Sequence, residues 1–186
     1  MKKIAVYCGA YSGQPGYDQA ARQVGEWLVA HGYALVYGGG GVGLMKTLGQ
    51  TVLAAGGTVY GVMPANLYER GAALPALPHL EIVADMAARK KRMLELADVC
   101  LALPGGAGTL EEISEAFSWA RVGDNASPCA FYNVAHYYDL LAAFYDHMVA
   151  AGFLTAADRQ KLLFTADLAA LAPFIASYRP PQLRKY

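Results

Sequence analysis

Short, unbroken apolar runs alternate along this chain with stretches of helical period, and three of the runs break directly into glycine or Pro-Gly. The runs fall at residues 4–8, 34–37, 58–63, 99–103 and 129–132, with a shorter one at 81–83. Between them, apolar residues recur at helical spacing over 18–31, 43–55, 86–96 and 110–122. A strand that is apolar at successive positions has both faces buried, the mark of a parallel sheet covered by helices. The expected architecture is one α/β domain over residues 1–186: a doubly wound, Rossmann-like parallel sheet with helices on both faces. From Tyr137 onward the pattern is mostly helical, and Pro180-Pro181 ends order, so a less ordered tail is expected from about residue 179. Ligands in such sheets bind outside the carboxyl ends of the strands. Segments 9–13, 38–43 and 105–108 each leave a strand end with glycine and are expected to meet at one crevice. Residues 64–79, with Pro75 and Pro78, form a long irregular stretch of the kind used for lids or binding loops.

Composition narrows the classes of function. With 186 residues, 55% of them hydrophobic, the chain can bury one substantial core. Lys plus Arg equals Asp plus Glu at 15 each, so no broad basic face is available for nucleic acid. No run approaches the roughly 18 apolar residues of a membrane span. The apolar run after Lys2-Lys3 meets Gly9 too soon for an export signal, so a cytoplasmic protein is expected. Cys8, Cys100 and Cys129 each fall in an expected strand, and an odd number in a reducing compartment suits small buried hydrophobes better than disulfides. His31, His79, His136 and His147 lack metal-ligand spacing, and no metal is expected.

Chemistry is concentrated in Pro104-Gly105-Gly106-Ala107-Gly108-Thr109-Leu110-Glu111-Glu112. A strand runs in and a helix runs out. Glycine lets the backbone turn sharply and leaves its N–H groups uncovered, and the helix that follows points its positive end at whatever sits there. The segment reads as an anion site, for a phosphate, with a carboxylate in the first helical turn. On a helical wheel Leu110, Ile113, Ala116, Phe117 and Ala120 face the core, while Glu111, Glu115 and Ser118 point away. Glu112 sits on the flank, able to lean over the glycine loop, with Glu111 at the rim. The same residues also spell a capping box, with Thr109 as N-cap and Glu112 reaching back to its N–H. Spacing alone leaves cap and site open, although a proline and three glycines do nothing for a cap.

Two neighbouring patterns fall short of other phosphate motifs. Residues 38–43 fit G-x-G-x-x-G after a strand, but the next strand ends Gly61-Val62-Met63 without the acidic residue that holds a ribose, so no nicotinamide or flavin dinucleotide is expected. Gly40 to Thr47 nearly spells a Walker loop, but Met45 stands where the glycine before Lys46 belongs. Tight strand-to-helix packing and one wall of a ligand crevice both account for these glycines. Arg89-Lys90-Lys91-Arg92 fans across the helical wheel and cannot form one solvated face. Arg89 shares the buried stripe of Met86, Met93 and Leu96, so its guanidinium points inward and needs an anion or a partner carboxylate, such as Glu95.

On these residues the chain resembles the Lonely Guy family, the phosphoribohydrolases that activate cytokinin nucleotides, formerly mislabelled lysine decarboxylases. Pro104 to Glu112 match P-G-G-x-G-T-x-x-E, and Met86, Arg89 and Lys90 match part of M-H-x-R-K. Similarity extends through Tyr7-Cys8-Gly9, Tyr37-Gly38-Gly39-Gly40, Gly61-Val62-Met63-Pro64 and Trp119-Ala120, over roughly residues 4–150. The resemblance implies hydrolysis of the N-glycosidic bond of a purine nucleoside 5′-monophosphate, giving adenine or an N6-substituted adenine and ribose 5-phosphate, with no cofactor. It implies Arg89 and Glu112 as the catalytic pair, with Gly105, Gly106, Gly108 and Thr109 carrying the nucleotide and Glu111 at its rim. Lys90 and Ser118 match positions associated with substrate contact. A homodimer or higher homo-oligomer is also implied, with sites near the subunit contact. The chain departs from the family pattern at Ala87 (for histidine), Gly71 (for an acidic residue), Tyr11, Lys46 and Ala107, which bears on base specificity more than on the reaction. A nucleotide carrier without hydrolysis, like the related molybdenum-cofactor carriers, is the alternative; Glu112 and Arg89 together favour the enzyme. No lysine lies in a recognisable pyridoxal-phosphate context, which disfavours a decarboxylase.

Overall fold

The computed structural model describes residues 1–182. Its strands are β1 (Lys3–Tyr7), β2 (Ala34–Tyr37), β3 (Val59–Pro64), β4 (His79–Val83), β5 (Val99–Ala102), β6 (Cys129–Tyr132) and β7 (Leu162–Thr165). They form one parallel sheet in the order β4-β3-β2-β1-β5-β6-β7. Strands β2, β5 and β6 are buried at every position, as continuous apolar runs require.

The main helices are α1 (Tyr17–Ala30), α2 (Gly43–Ala54), α4 (Met86–Leu96), α5 (Ala107–Val122) and α6 (Asp139–Ala150), with short α3 (Ala65–Tyr68), α7 (Ala156–Arg159) and α8 (Leu171–Ser177). Val24 and Leu28 of α1 pack with Leu48 and Val52 of α2 on one face of the sheet. Met93 of α4, Ile113 and Phe117 of α5 and Tyr145 of α6 form the core on the other. The chain walks outward from β1 to β4, then returns to lay β5 against the other side of β1. In that pair Ile4 lies opposite Val99 and Tyr7 opposite Ala102, so Gly9 and Gly105 leave the sheet side by side at its carboxyl edge. This is the switch point, where doubly wound sheets open a crevice.

Five expectations need correction. Leu110 and Met86, expected on buried faces, are both exposed, Thr109 taking the inward position at the start of its helix. Helix α5 begins at Ala107, three residues before the apolar stripe that marks it in the sequence, because Pro104-Gly105-Gly106 completes the turn unaided. Strand β7 interrupts the C-terminal stretch that reads as helical; a four-residue apolar run is too short for its period to be told from helix. Residues 64–79 are pinned back over the loop after β2 by Gly41 N–H to Ala72 O (2.8 Å) and Leu74 N–H to Gly39 O (2.8 Å), and do not line the crevice. The tail expected from about residue 179 lies partly outside the described residues. Among those described, Pro181 is buried. All the cysteines are free and buried. Among the described residues no helix is long and apolar enough to cross a membrane.

Candidate active site

Backbone contacts knit the glycine loops together at the switch point. Gly9 N–H donates to Pro104 O (3.1 Å), and Leu44 N–H donates to Gly9 O (3.1 Å). Gly43 has φ +53°, and a Cβ there would overlap the backbone of Ala10. The loops leaving β1 and β5 therefore meet around a cavity of about 400 Å³, which Leu44 and Met45 at the start of α2 also line; the glycines at 38–43, expected at the same crevice, lie behind it. That volume lies within the range that holds small ligands.

The floor of the cavity is the start of α5. Gly106 is the N-cap and no side chain caps the helix. Leu110 N–H to Gly106 O (3.1 Å) opens the helical ladder, so the N–H groups of Gly106, Ala107, Gly108 and Thr109 have no partner among the described residues. A Cβ on Gly106 or Gly108 would meet nothing within 4 Å. The protein's own packing does not require glycine there; the open space lies beside uncovered amides at the positive end of a helix. Thr109 is buried inside the first turn, where its side chain fills the gap over Gly105. It is not an N-cap, and the capping box is not formed.

Glu112 meets Arg89 instead. Arg89 Nη1 stands 3.2 Å from Glu112 Oε1, with side chains 11% and 9% exposed. Arg89 Nε donates to Val62 O (3.2 Å), and the guanidinium lies where a Cβ on Gly38 would be. Strand β2 ends in glycine because an arginine from α4 crosses its end. Glu95, on the same helix as Arg89, pairs with Arg92 instead (3.4 Å). The Arg89–Glu112 contact is an ion pair without hydrogen-bond alignment, and Oε1 is buried with no donor. Burial pushes the Glu112 carboxyl above its ordinary range; the Arg89 charge pulls it down, Glu111 pushes it up, and Lys90 and Glu115 act weakly in opposite senses. Burial, reinforced by Glu112, also raises the Cys8 thiol, which stays neutral at the back of the cavity.

The cavity gathers Arg89, Glu112, Gly105, Gly106, Gly108, Thr109 and, at its rim, Glu111. Lys90 and Ser118 stand outside it. Lys90 Nζ is held by Glu111 (2.7 Å) and Glu115 (2.8 Å), and those hydrogen bonds raise its pKa. Ser118 is exposed, beside a separate hollow with Arg121 and Asp158. Met45, which stands where a Walker glycine would, completes an apolar wall with Tyr17 and Tyr137, neither of them expected at the site from sequence. No motif marks the two tyrosines; only the fold brings them to the cavity. Among the described residues no group of three His, Cys, Asp or Glu side chains is placed to hold a metal ion.

A family described as "Possible lysine decarboxylase" matches residues 45–173. Cytokinin riboside 5′-monophosphate phosphoribohydrolase LOG7 of Arabidopsis thaliana is 40% identical over 181 residues, covering 97% of this chain and 83% of the relative. The cytokinin riboside 5′-monophosphate phosphoribohydrolase of Rhodococcoides fascians is 39% identical over 186 residues, covering 97% and 90%. Among solved structures, the molybdenum cofactor carrier protein of Chlamydomonas reinhardtii superposes with a TM-score of 0.70 at 20% identity, covering 95% of this chain and 99% of that one. The molybdenum cofactor binding protein of Rippkaea orientalis gives 0.70 at 19%, covering 95% and 96%. At such identities the structural likeness speaks for the fold alone.

Proposed function

The chain belongs to the family described as possible lysine decarboxylase, in which its curated relatives are phosphoribohydrolases, and from that membership we infer that it hydrolyses cytokinin riboside 5′-monophosphates. The bond cleaved joins ribose C1′ to the purine, and the products are a free N6-substituted adenine and ribose 5-phosphate. AMP, the same nucleotide without the N6 substituent, is the second substrate of this reading. A cytoplasmic location and a homodimeric or larger assembly belong to it as well.

One observation carries the site assignment. Glu112 Oε1 is buried and ion-paired yet has no hydrogen-bond donor, at a cavity whose floor is a row of unpartnered amides. In the mechanism we assign, the phosphate rests on the amides of Gly106 and Gly108 and fixes C1′ near Glu112. Positive charge grows on the ribose ring as the glycosidic bond stretches, and the carboxylate stabilises it. Water adds to C1′ and gives its proton to Glu112, while the bonding pair leaves with the base. Arg89 remains charged, stabilises the departing purine electrostatically and leaves its protonation to water.

The test is incubation of the protein with isopentenyladenosine 5′-monophosphate, with AMP and with the riboside lacking phosphate. Chromatography should show free base and ribose 5-phosphate from the monophosphates, and no base from the riboside. Intact nucleotide throughout would refute the hydrolytic reading. Base released equally from the riboside would refute the phosphate anchor.

A further inference from the structure

The corner between β6 and α6 presents two adjacent tyrosines to the glycine loop. Tyr137 Oη donates to Gly105 O (2.5 Å), and Tyr138 Oη donates to Leu103 O (2.6 Å). The turn that delivers them is strained. Ala135 and His136 lie in the left-handed region, at φ +51° and +60°, which non-glycine residues hold only where their surroundings over-determine it. Asn133 supplies part of that restraint, its Oδ1 accepting from Tyr138 N–H (2.6 Å) and its Nδ2 donating to Asp139 (2.7 Å). The Tyr137 ring, 42% exposed, stands edge-on to Tyr17 at 5.6 Å and to Tyr138 at 4.8 Å, and these contacts hold it toward the glycine loop.

The two hydrogen bonds have different consequences. A trans peptide unit is planar, with its C=O and N–H pointing in opposite directions. The carbonyl of Gly105 and the N–H of Gly106 belong to one such unit. Holding that carbonyl against Tyr137 turns the Gly106 N–H the other way. The carbonyl of Leu103 is joined to Pro104, which has no N–H to aim.

We propose that Tyr137 is a positioning residue for the phosphate cradle: by anchoring the Gly105 carbonyl it fixes the direction of the Gly106 amide. The inference rests on reading the glycine loop as a phosphate site. Tyr138 holds the same loop without aiming an amide, and so provides an internal control.

The experiment compares the wild-type protein, Tyr137→Phe and Tyr138→Phe. Calorimetric titration with ribose 5-phosphate reads the cradle without the base, and steady-state kinetics with AMP separate KM from kcat. Loss of one charge-assisted contact's alignment should weaken ribose 5-phosphate binding and raise KM by about tenfold in Tyr137→Phe, with kcat changed by less than about threefold. Tyr138→Phe should melt at a lower temperature, having left a buried carbonyl without its donor, but bind within about twofold of wild type. Unchanged affinity in Tyr137→Phe overturns the proposal. Equal weakening in Tyr138→Phe also overturns it, because the effect would then be general loosening of the loop. A wild-type protein that binds ribose 5-phosphate but releases no base removes the hydrolytic reading and leaves the cradle standing. A wild-type protein that does not bind ribose 5-phosphate removes the cradle and this proposal with it.

Discussion

A buried carboxylate held by charge without hydrogen bonds makes stability depend on pH in a known sense. Burial raises Glu112 above its ordinary range despite Arg89, so the folded protein binds that proton more tightly than the unfolded chain does. Its contribution to stability is fully present below the unfolded glutamate value, about 4.3, and is lost as pH rises through the folded value. Glu112→Gln cannot ionise. Its stability relative to wild type should therefore increase across that window and level off at either end, as urea midpoints between pH 4 and 7.5 will show; a difference independent of pH contradicts the assignment. The same substitution should lower turnover by about 10²-fold or more, the scale of losing acid–base assistance. Gly108→Ala carries a parallel conflict between fold and site. A Cβ there meets nothing, and alanine is favoured over glycine in a helix by up to about 1 kcal/mol. The variant should melt at or above the wild-type temperature while binding ribose 5-phosphate at least about tenfold more weakly, because the methyl group stands where the phosphate approaches. Arg89 was legible as inward-facing because it shares the stripe of Met86 and Met93, both spaced along one helix. Helical spacing alone offers Glu95 as its partner; the family resemblance pairs it with Glu112, which lies on another helix and meets it where α4 and α5 cross.

At the scale of elements, the local rule for starting a helix and the geometry of the site compete at α5. Thr109-x-x-Glu112 satisfies the capping-box pattern, yet the helix starts three residues earlier with no side-chain cap. A formed capping box would take up the Thr109 amide and turn Glu112 away from Arg89. A sequence pattern thus failed where the proposed site uses the same carboxylate. Strand β7 was missed for a different reason: Leu162–Thr165 is too short to show a period. The end of β2 offers a test of how elements cooperate. Gly38 does not have a positive φ, so alanine is compatible with its backbone, but the new Cβ would overlap the Arg89 guanidinium from α4. Gly38→Ala should stay folded and lose about 10²-fold in turnover, the usual scale for misplacing a catalytic group by an ångström. Full activity in that variant would show that the position of Arg89 at the end of β2 is dispensable.

For the whole molecule, the alternation of strands and helices in the sequence was enough to imply a covered parallel sheet, and the sheet's switch point explains why the loops leaving β1 and β5 share one cavity with the start of α2. Assembly is less accessible from sequence, because the same apolar spacing describes a helix face that meets the core and one that meets another molecule. Helix α6 has both. Tyr145 packs into the core, while Leu140 is 87% exposed and Phe144 54% exposed, one turn apart on the outer side. Phe153, just beyond the helix, is 79% exposed. Leu140 and Phe144, exposed on the same side of one helix, would suit a surface that meets a partner, and a formal net charge of zero puts no long-range repulsion between copies of the chain. The occupant expected is a second copy of this chain, in keeping with the homo-oligomer that the family resemblance implies. Light scattering after gel filtration should give the wild-type protein a mass of a dimer or a multiple of it, and Leu140→Glu with Phe144→Glu should lower that mass by placing carboxylates in the contact. Because the outer stripe begins three residues after Tyr137, which borders the cavity, the double variant should also raise KM for AMP. A wild-type monomer at micromolar concentration, or a double variant of unchanged mass, would mean that α6 does not carry the subunit contact.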